Sequence, residues 1–125
     1  MQIQLVSGSL SLEGSLIDNQ TAACIFNNLP FNAHVNTWGQ EIYFSLPFSC
    51  PPGDLTEEAE VGTIAYWPEG NSLCVFFGRT PASSDERPRP ASGVVLLGEI
   101  TADAASLKSL KSGDKITVNR KTPDK

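Results

Sequence analysis

The sequence predicts a mainly β domain: a closed barrel of eight strands with two short helices. Three observations carry that prediction. Runs of alternating polar and apolar residues, the signature of half-buried strands, recur along most of the 125-residue chain. The stretch from Val61 to Gly78 is apolar on both alternating faces, so both sides of its strands are expected to be covered. Helical spacing appears only twice, with no long β–α–β alternation, which argues against a parallel α/β sheet. Eight strands can close on an interior filled by side chains, and closure removes the edges that such apolar strands would otherwise expose.

The elements follow in order. Gln2 to Val6 alternates, with Ile3 and Leu5 on one face; Ser7-Gly8 reads as a tight turn, and Leu10 and Leu12 carry the period on toward Leu16. Asp18-Asn19-Gln20-Thr21 offers several N-caps for a helix bearing Ala22, Ile25, Phe26 and Leu29, which Pro30 ends. Phe31, Ala33 and Val35 alternate with Asn32, His34 and Asn36 as a strand, broken at Trp38-Gly39. Glu41 to Leu46 is the next strand, and Phe48 to Glu60 reads as a loop rich in proline, glycine and acid. Val61–Trp67 and Leu73–Phe77 read as strands joined by a turn at Pro68–Ser72. Arg79 to Ser92 contains Pro81, Pro88 and Pro90, and proline donates no ladder hydrogen bond, so it cannot be a central strand. Gly93–Ile100 is a buried strand. A short amphipathic helix follows over Asp103–Lys111, capped by Asp103 with Gly113 past its end, then a last strand over Lys115–Val118. Residues 1–118 are expected to form the single domain, and 119–125 a polar tail.

Charge is unevenly spread. From Met1 to Gly78 there are eight acids and no Lys or Arg; all nine bases lie from Arg79 onward. Opposite signs in the two halves favour one compact domain. Nucleic-acid binding requires a basic surface, so it is not expected, and neither is a membrane anchor. The amino terminus lacks the charged and apolar segments of a signal peptide, and the expected compartment is the cytoplasm. Three cysteines, Cys24, Cys50 and Cys74, form neither an even disulfide set nor a C-x-x-C pair, and are expected to be reduced thiols, with Cys50 the most exposed.

Chemical motifs are scarce. No nucleophile elbow, H-E-x-x-H, phosphate loop or dinucleotide fingerprint occurs. The lone His34 reads as a solvated surface residue, so no metal is expected, and no cofactor is called for. Asp54, Glu57, Glu58 and Glu60 read as a solvated acidic loop, at spacings that fit no EF-hand. Glu41 stands apart as the only charged residue between Asp18 and Asp54, in an apolar strand near Trp38 and Tyr43. Either it projects to solvent at a strand end, or it sits at a pocket rim with a pKa raised by desolvation.

Three stretches carry a family resemblance: Asn36-Thr37-Trp38-Gly39-Gln40-Glu41-Ile42-Tyr43-Phe44, Val61-Gly62 through Phe76-Phe77-Gly78, and Arg89-Pro90-Ala91-Ser92. Together with Val94–Ile100 and Lys115–Val118, they resemble the small prokaryotic cyclophilin-like family, whose function is unassigned, within the cyclophilin-like superfamily. The resemblance spans nearly the whole chain and implies the eight-stranded barrel. Typical cyclophilins isomerise prolyl bonds with an arginine on the strand that resembles Glu41–Pro47, where this chain offers Phe44. The glutamine before Phe-Phe is Val75 here, and the pocket histidine falls at Gly93 or Val94. A cation near the imide supplies the electrostatic part of that catalysis, so efficient prolyl isomerase activity is not expected.

The favoured expectation is a domain that binds a small molecule or peptide in an aromatic pocket of Trp38, Glu41, Tyr43, Tyr66, Trp67 and Phe77. Apolar walls with a few polar groups are the usual make-up of such a pocket. Arg89, on the Pro-rich loop, is expected to hold a carboxylate there, which points to a small anionic ligand. Two alternatives stand beside it. One is an enzyme, either a residual peptidyl-prolyl isomerase or an amide hydrolase using Glu41 or His34 as base. The other is a non-catalytic interaction module whose contact segment is the 79–92 loop.

Overall fold

The computed structural model describes residues 1–121. Ten strands form one antiparallel sheet: β1 Gln2–Ser7, β2 Leu10–Leu16, β3 Phe31–His34, β4 Asn36–Thr37, β5 Glu41–Ser45, β6 Leu55–Thr56, β7 Thr63–Trp67, β8 Ser72–Phe76, β9 Val94–Ile100 and β10 Lys115–Arg120. The pairing order is β3-β10-β1-β2-β9-β7-β8-β5-β4, with the two-residue β6 added against β9. β3 and β4 are separated only by Val35, so they are two halves of one bent stave. Its first half pairs with β10 and its second with β5, which joins the two ends of the sheet. Counted this way the barrel has the eight staves expected from the alternation.

Alternation assigns each side chain to one of two faces. Ile3, Leu5, Leu12, Leu16, Ile42, Phe44, Ile64, Leu73, Val75, Leu97 and Ile116 point inward and fill the barrel. On β5, β7 and β8 most of the outward residues are buried or half-buried as well. Ala65, Cys74 and Phe76 form a second apolar cluster with Ala59 and Val94, and Tyr43 and Trp67 pack against it. The Pro-rich segment from Arg79 covers this outer face, as two-sided apolarity requires.

Local chemistry explains the connections. The β1–β2 turn is Gly8-Ser9, one residue later than expected, with Gly8 at φ 58°, where a side chain would be strained. Helix α1, Gln20–Asn27, is capped by Asn19, whose Oδ1 accepts from the Ala22 N–H at 2.8 Å. At its other end Arg120 donates to the Phe26 and Asn27 carbonyls and lies over the Phe26 ring. β10 therefore continues two residues past Val118. Residues 122–125 of the expected tail lie outside the described residues.

Two expectations are corrected. The segment after β9 is a 3-10 helix, Ala104–Ser109, capped by Asp103. Its buried residues Ala104 and Leu107, and the buried C-cap Leu110, recur every third position, which suits three residues per turn better than 3.6. Cys24 and Cys50 are not free thiols but form a disulfide, with Cα atoms 5.8 Å apart, an ordinary bridging distance. The 47–60 segment folds back on α1, where Thr21 Oγ1 donates to the Pro51 carbonyl at 2.8 Å and Gln20 Nε2 to that of Pro52 at 3.1 Å, and this brings the two sulfurs together. Among the described residues only Cys74 is a free cysteine, and it is buried.

Candidate functional site

The outer face of β5, β7 and β8 holds a pocket. β5 contributes Glu41 and Tyr43, β8 Cys74, and β7 Trp67; Trp38 from the preceding turn, Pro90 and Ala91 from the covering loop, and Val94 at the start of β9 complete it. The cavity measures about 110 Å³. That is somewhat smaller than an apolar cavity of ~150 Å³ that accommodates benzene, so it suits one side-chain-sized group.

Register builds this cluster. Across β5 and β8, Tyr43 pairs with Cys74 and Glu41 with Phe76; across β7 and β8, Ala65 pairs with Cys74. All of these residues face outward. Tyr43 meets Trp67 edge-on, with centroids 6.1 Å apart and planes at 80°.

The covering loop is fastened at both ends. At its start, the Gln40 N–H donates to the Arg79 carbonyl and the Phe77 N–H to the Gln40 carbonyl, both at 2.8 Å. Gly39 makes this approach possible. Its φ is +60°, and a Cβ there would lie 2.9 Å from Arg79 O, Thr80 Cα and Pro81 Cδ. Thr80 Oγ1 donates across the loop to the Arg89 carbonyl at 2.5 Å, and Ser83 Oγ to that of Arg87 at 2.7 Å. At its end, Trp67 Nε1 donates to Ser92 Oγ at 2.7 Å, and Ser92 Oγ donates to Glu69 Oε2 at 2.5 Å. The indole is thus locked by its polar edge, while its ring borders the pocket.

Glu41 is the polar centre. It is 5% exposed, so the pocket-rim reading holds and the solvent-projecting one does not. Its Oε1 has no hydrogen-bond partner among the described residues. Burial pushes its pKa up to about 7 from 4.5, with the Cys74 thiol, donating toward the carboxylate, opposing a part of that rise. The same burial, reinforced by the Glu41 charge, raises the Cys74 thiol well above its usual value, so it remains protonated. A buried carboxyl with an unused acceptor can hold a hydrogen-bond donor or a cation, or take up a proton near neutral pH.

Four of the expected site residues, Trp38, Glu41, Tyr43 and Trp67, meet in this pocket. Tyr66 and Phe77 do not. Both point inward and belong to the main core, and Tyr66 donates its hydroxyl proton to Asn71 Oδ1 at 2.7 Å. Arg89 also lies elsewhere: its guanidinium pairs with Glu57 at 2.8 Å beside a separate polar hollow. The other loop arginines are engaged too, Arg79 with Glu86 at 3.4 Å and Arg87 with Asp85 at 3.3 Å. The loop therefore presents neutralised pairs, not the positive edge that its composition suggests. Sequence reasoning missed Cys74, Pro90, Ala91 and Val94. The period of two from Phe76 marks Cys74 as outward-facing, and Pro90 and Ala91 adjoin Arg89 in a motif already singled out.

His34 is an exposed residue of β3, opposite Lys115 on β10, away from this pocket. Among the described residues no group of three or more His, Cys, Asp or Glu could hold a metal ion, and no helix is long and apolar enough to cross a membrane.

The fold and pocket define a β-barrel domain of the cyclophilin type, with its cavity outside the barrel. The profile of the Cyclophilin-like family matches residues 1–119, and the chain belongs to that family. It is similar to the hypothetical protein AF2241 from Archaeoglobus fulgidus, known from a solution structure. The two are 32% identical with a TM-score of 0.81, and the match covers 97% of this chain and 95% of that one. Comparison with curated proteins yields no match.

Proposed function

We propose that this domain binds one side-chain-sized group of a small molecule or peptide in the outer pocket, without efficient prolyl isomerase activity. The observation that carries the reading is the unpartnered Oε1 of the 5%-exposed Glu41 carboxyl among aromatic walls. A buried acceptor left unsatisfied costs about 1–3 kcal/mol, and a ligand donor would recover that cost. Against isomerase activity stands β5, Glu41–Ser45, which carries no arginine although it resembles the strand on which typical cyclophilins carry theirs. None of the residues lining the pocket is a cation.

Two measurements test this. Exchange of an Ala-Pro peptide is expected to proceed at its uncatalysed rate in the presence of the protein; acceleration at cyclophilin-like rates overturns that half. Both tryptophans of the chain, Trp38 and Trp67, line the pocket. Their emission is expected to change on titration with ligands that fit, and Glu41→Gln to weaken the response. A library that leaves the emission unaltered sinks the binding half.

A second reading has its own support. A carboxyl with a pKa of about 7 suits a general base at neutral pH. On that reading, turnover on an amide panel rises through neutral pH and vanishes in Glu41→Gln.

A further inference from the structure

We propose that the group held in the outer pocket is a cation: an ammonium on a short apolar stem, seated against Glu41 and enclosed by Trp38, Tyr43 and Trp67. This inference rests on the binding reading above and names its ligand chemistry. Four observations on the molecule carry it.

Glu41 is 95% buried by residue area, being 5% exposed, and lines the cavity with a free acceptor oxygen. An ionised carboxylate in such a place is stabilised chiefly by a positive partner. Three aromatic residues border the same cavity, and the faces of such rings attract ammonium groups. The titratable groups beside Glu41 are Tyr43 on β5 and the Cys74 thiol on β8. The other elements contribute Trp38, Trp67, Pro90, Ala91 and Val94, so no protein cation competes for the carboxylate. Beyond Trp67 stands a further carboxylate, Glu69, which closes the Trp67–Ser92 chain, while Arg89 is neutralised by Glu57 outside the pocket. The same facts disfavour an anion, because the arginine expected to receive one is occupied outside the pocket.

Cation binding has a proton signature. Near neutral pH Glu41 is partly protonated. An ammonium favours the carboxylate, lowers its proton affinity and releases the carboxyl proton to solvent. A carbonyl or carboxylate ligand favours the protonated acid and draws a proton in. The sign of the proton transfer therefore separates the two chemistries.

The test uses three probes of matched shape: n-butylammonium, n-butanol and butyrate. Each is titrated into the whole protein with tryptophan emission as readout, at about pH 8, where Glu41 is mostly ionised. Butylammonium is expected to bind about tenfold or more tighter than the other two. Calorimetry near pH 7 in buffers of different ionisation enthalpy is expected to record proton release. In Glu41→Gln the preference for butylammonium over butanol is expected to disappear, with a cooperative unfolding transition reporting that the variant is folded. If the variant fails to fold, the proton sign in the natural protein decides. Equal or tighter binding of butanol or butyrate, proton uptake, or an undiminished preference in Glu41→Gln overturns the cation and leaves the pocket reading standing. No response to any of the three overturns both.

Discussion

Glu41 stands diagonally across the β5–β8 ladder from Cys74, the register partner of Tyr43, so a carboxyl and a thiol share one buried outer face. The Glu41 charge makes ionisation of the thiol harder, whereas the thiol's hydrogen bond eases ionisation of the carboxyl, whose raised pKa comes from burial. That burial has a measurable consequence for stability.

Glu41 keeps its proton in the fold up to about pH 7, against an ordinary value of 4.5. Between those values the folded state binds more protons than the unfolded one, so stability falls as pH rises. The full contribution is present below pH 4.5 and is lost as pH rises through about 7. At ~1.4 kcal/mol per pKa unit, the loss amounts to roughly 3 kcal/mol. Denaturant unfolding at intervals across that range is expected to show the decline in the natural protein. Glu41→Gln is expected to remove this component and to be the more stable form at alkaline pH.

Ser92 fastens the end of the covering loop. Ser92→Ala removes the acceptor of the Trp67 indole N–H, which is half-buried. The expected cost is about 1 kcal/mol, with more if the N–H finds no water. A shift in tryptophan emission is expected to accompany it. An unchanged spectrum at unchanged stability would show that the loop end is held by something else.

Arg89→Ala tests the opposite expectation. The pair with Glu57 is half exposed on both sides, at 50% and 57%. Such pairs contribute about 0–1 kcal/mol, so the midpoint of unfolding is expected to move little. Affinity for any ligand of the outer pocket is expected to be unchanged, carboxylic acids included. A loss of acid binding in this variant would return Arg89 to the site.

The Cys24–Cys50 bridge spans a sequence separation of 26. Closing a loop of that length in the unfolded chain is worth about 3 kcal/mol in the chain-entropy model. Unfolding with and without reductant is expected to differ by about that amount, and Cys24→Ser/Cys50→Ser is expected to match the reduced form. Equal midpoints would remove the bridge from the stability of this fold.

The staves were legible because the alternation of Ile3 and Leu5, of Phe31, Ala33 and Val35, and of Ile42 and Phe44 is strict. The pocket was half legible for a related reason. In Thr-Ile-Ala-Tyr-Trp both faces are apolar, so composition does not reveal which side turns inward. Tyr66 and Trp67 are neighbours, however, and neighbours on one strand point to opposite faces; only one of them belongs to the pocket. The same parity separates Phe77 from Phe76. Arg89 could not be placed from its neighbours in sequence, because its partner Glu57 lies 32 residues away, in the acidic segment that carries β6. The disulfide was hidden by the odd cysteine count, since Cys74 belongs to the outer face and the other two to a different layer.

Because the cavity lies outside the barrel, β5 carries two independent messages on alternate residues. Ile42 and Phe44 hold the barrel together; Glu41 and Tyr43 shape what lies over it. Selection can therefore rewrite the second set while leaving the first untouched, and the scaffold can pass from one specificity to another without an unstable intermediate. An insertion of a single residue within β5 has no such freedom. It would exchange the two messages, sending the carboxylate into the core and isoleucine to the ligand.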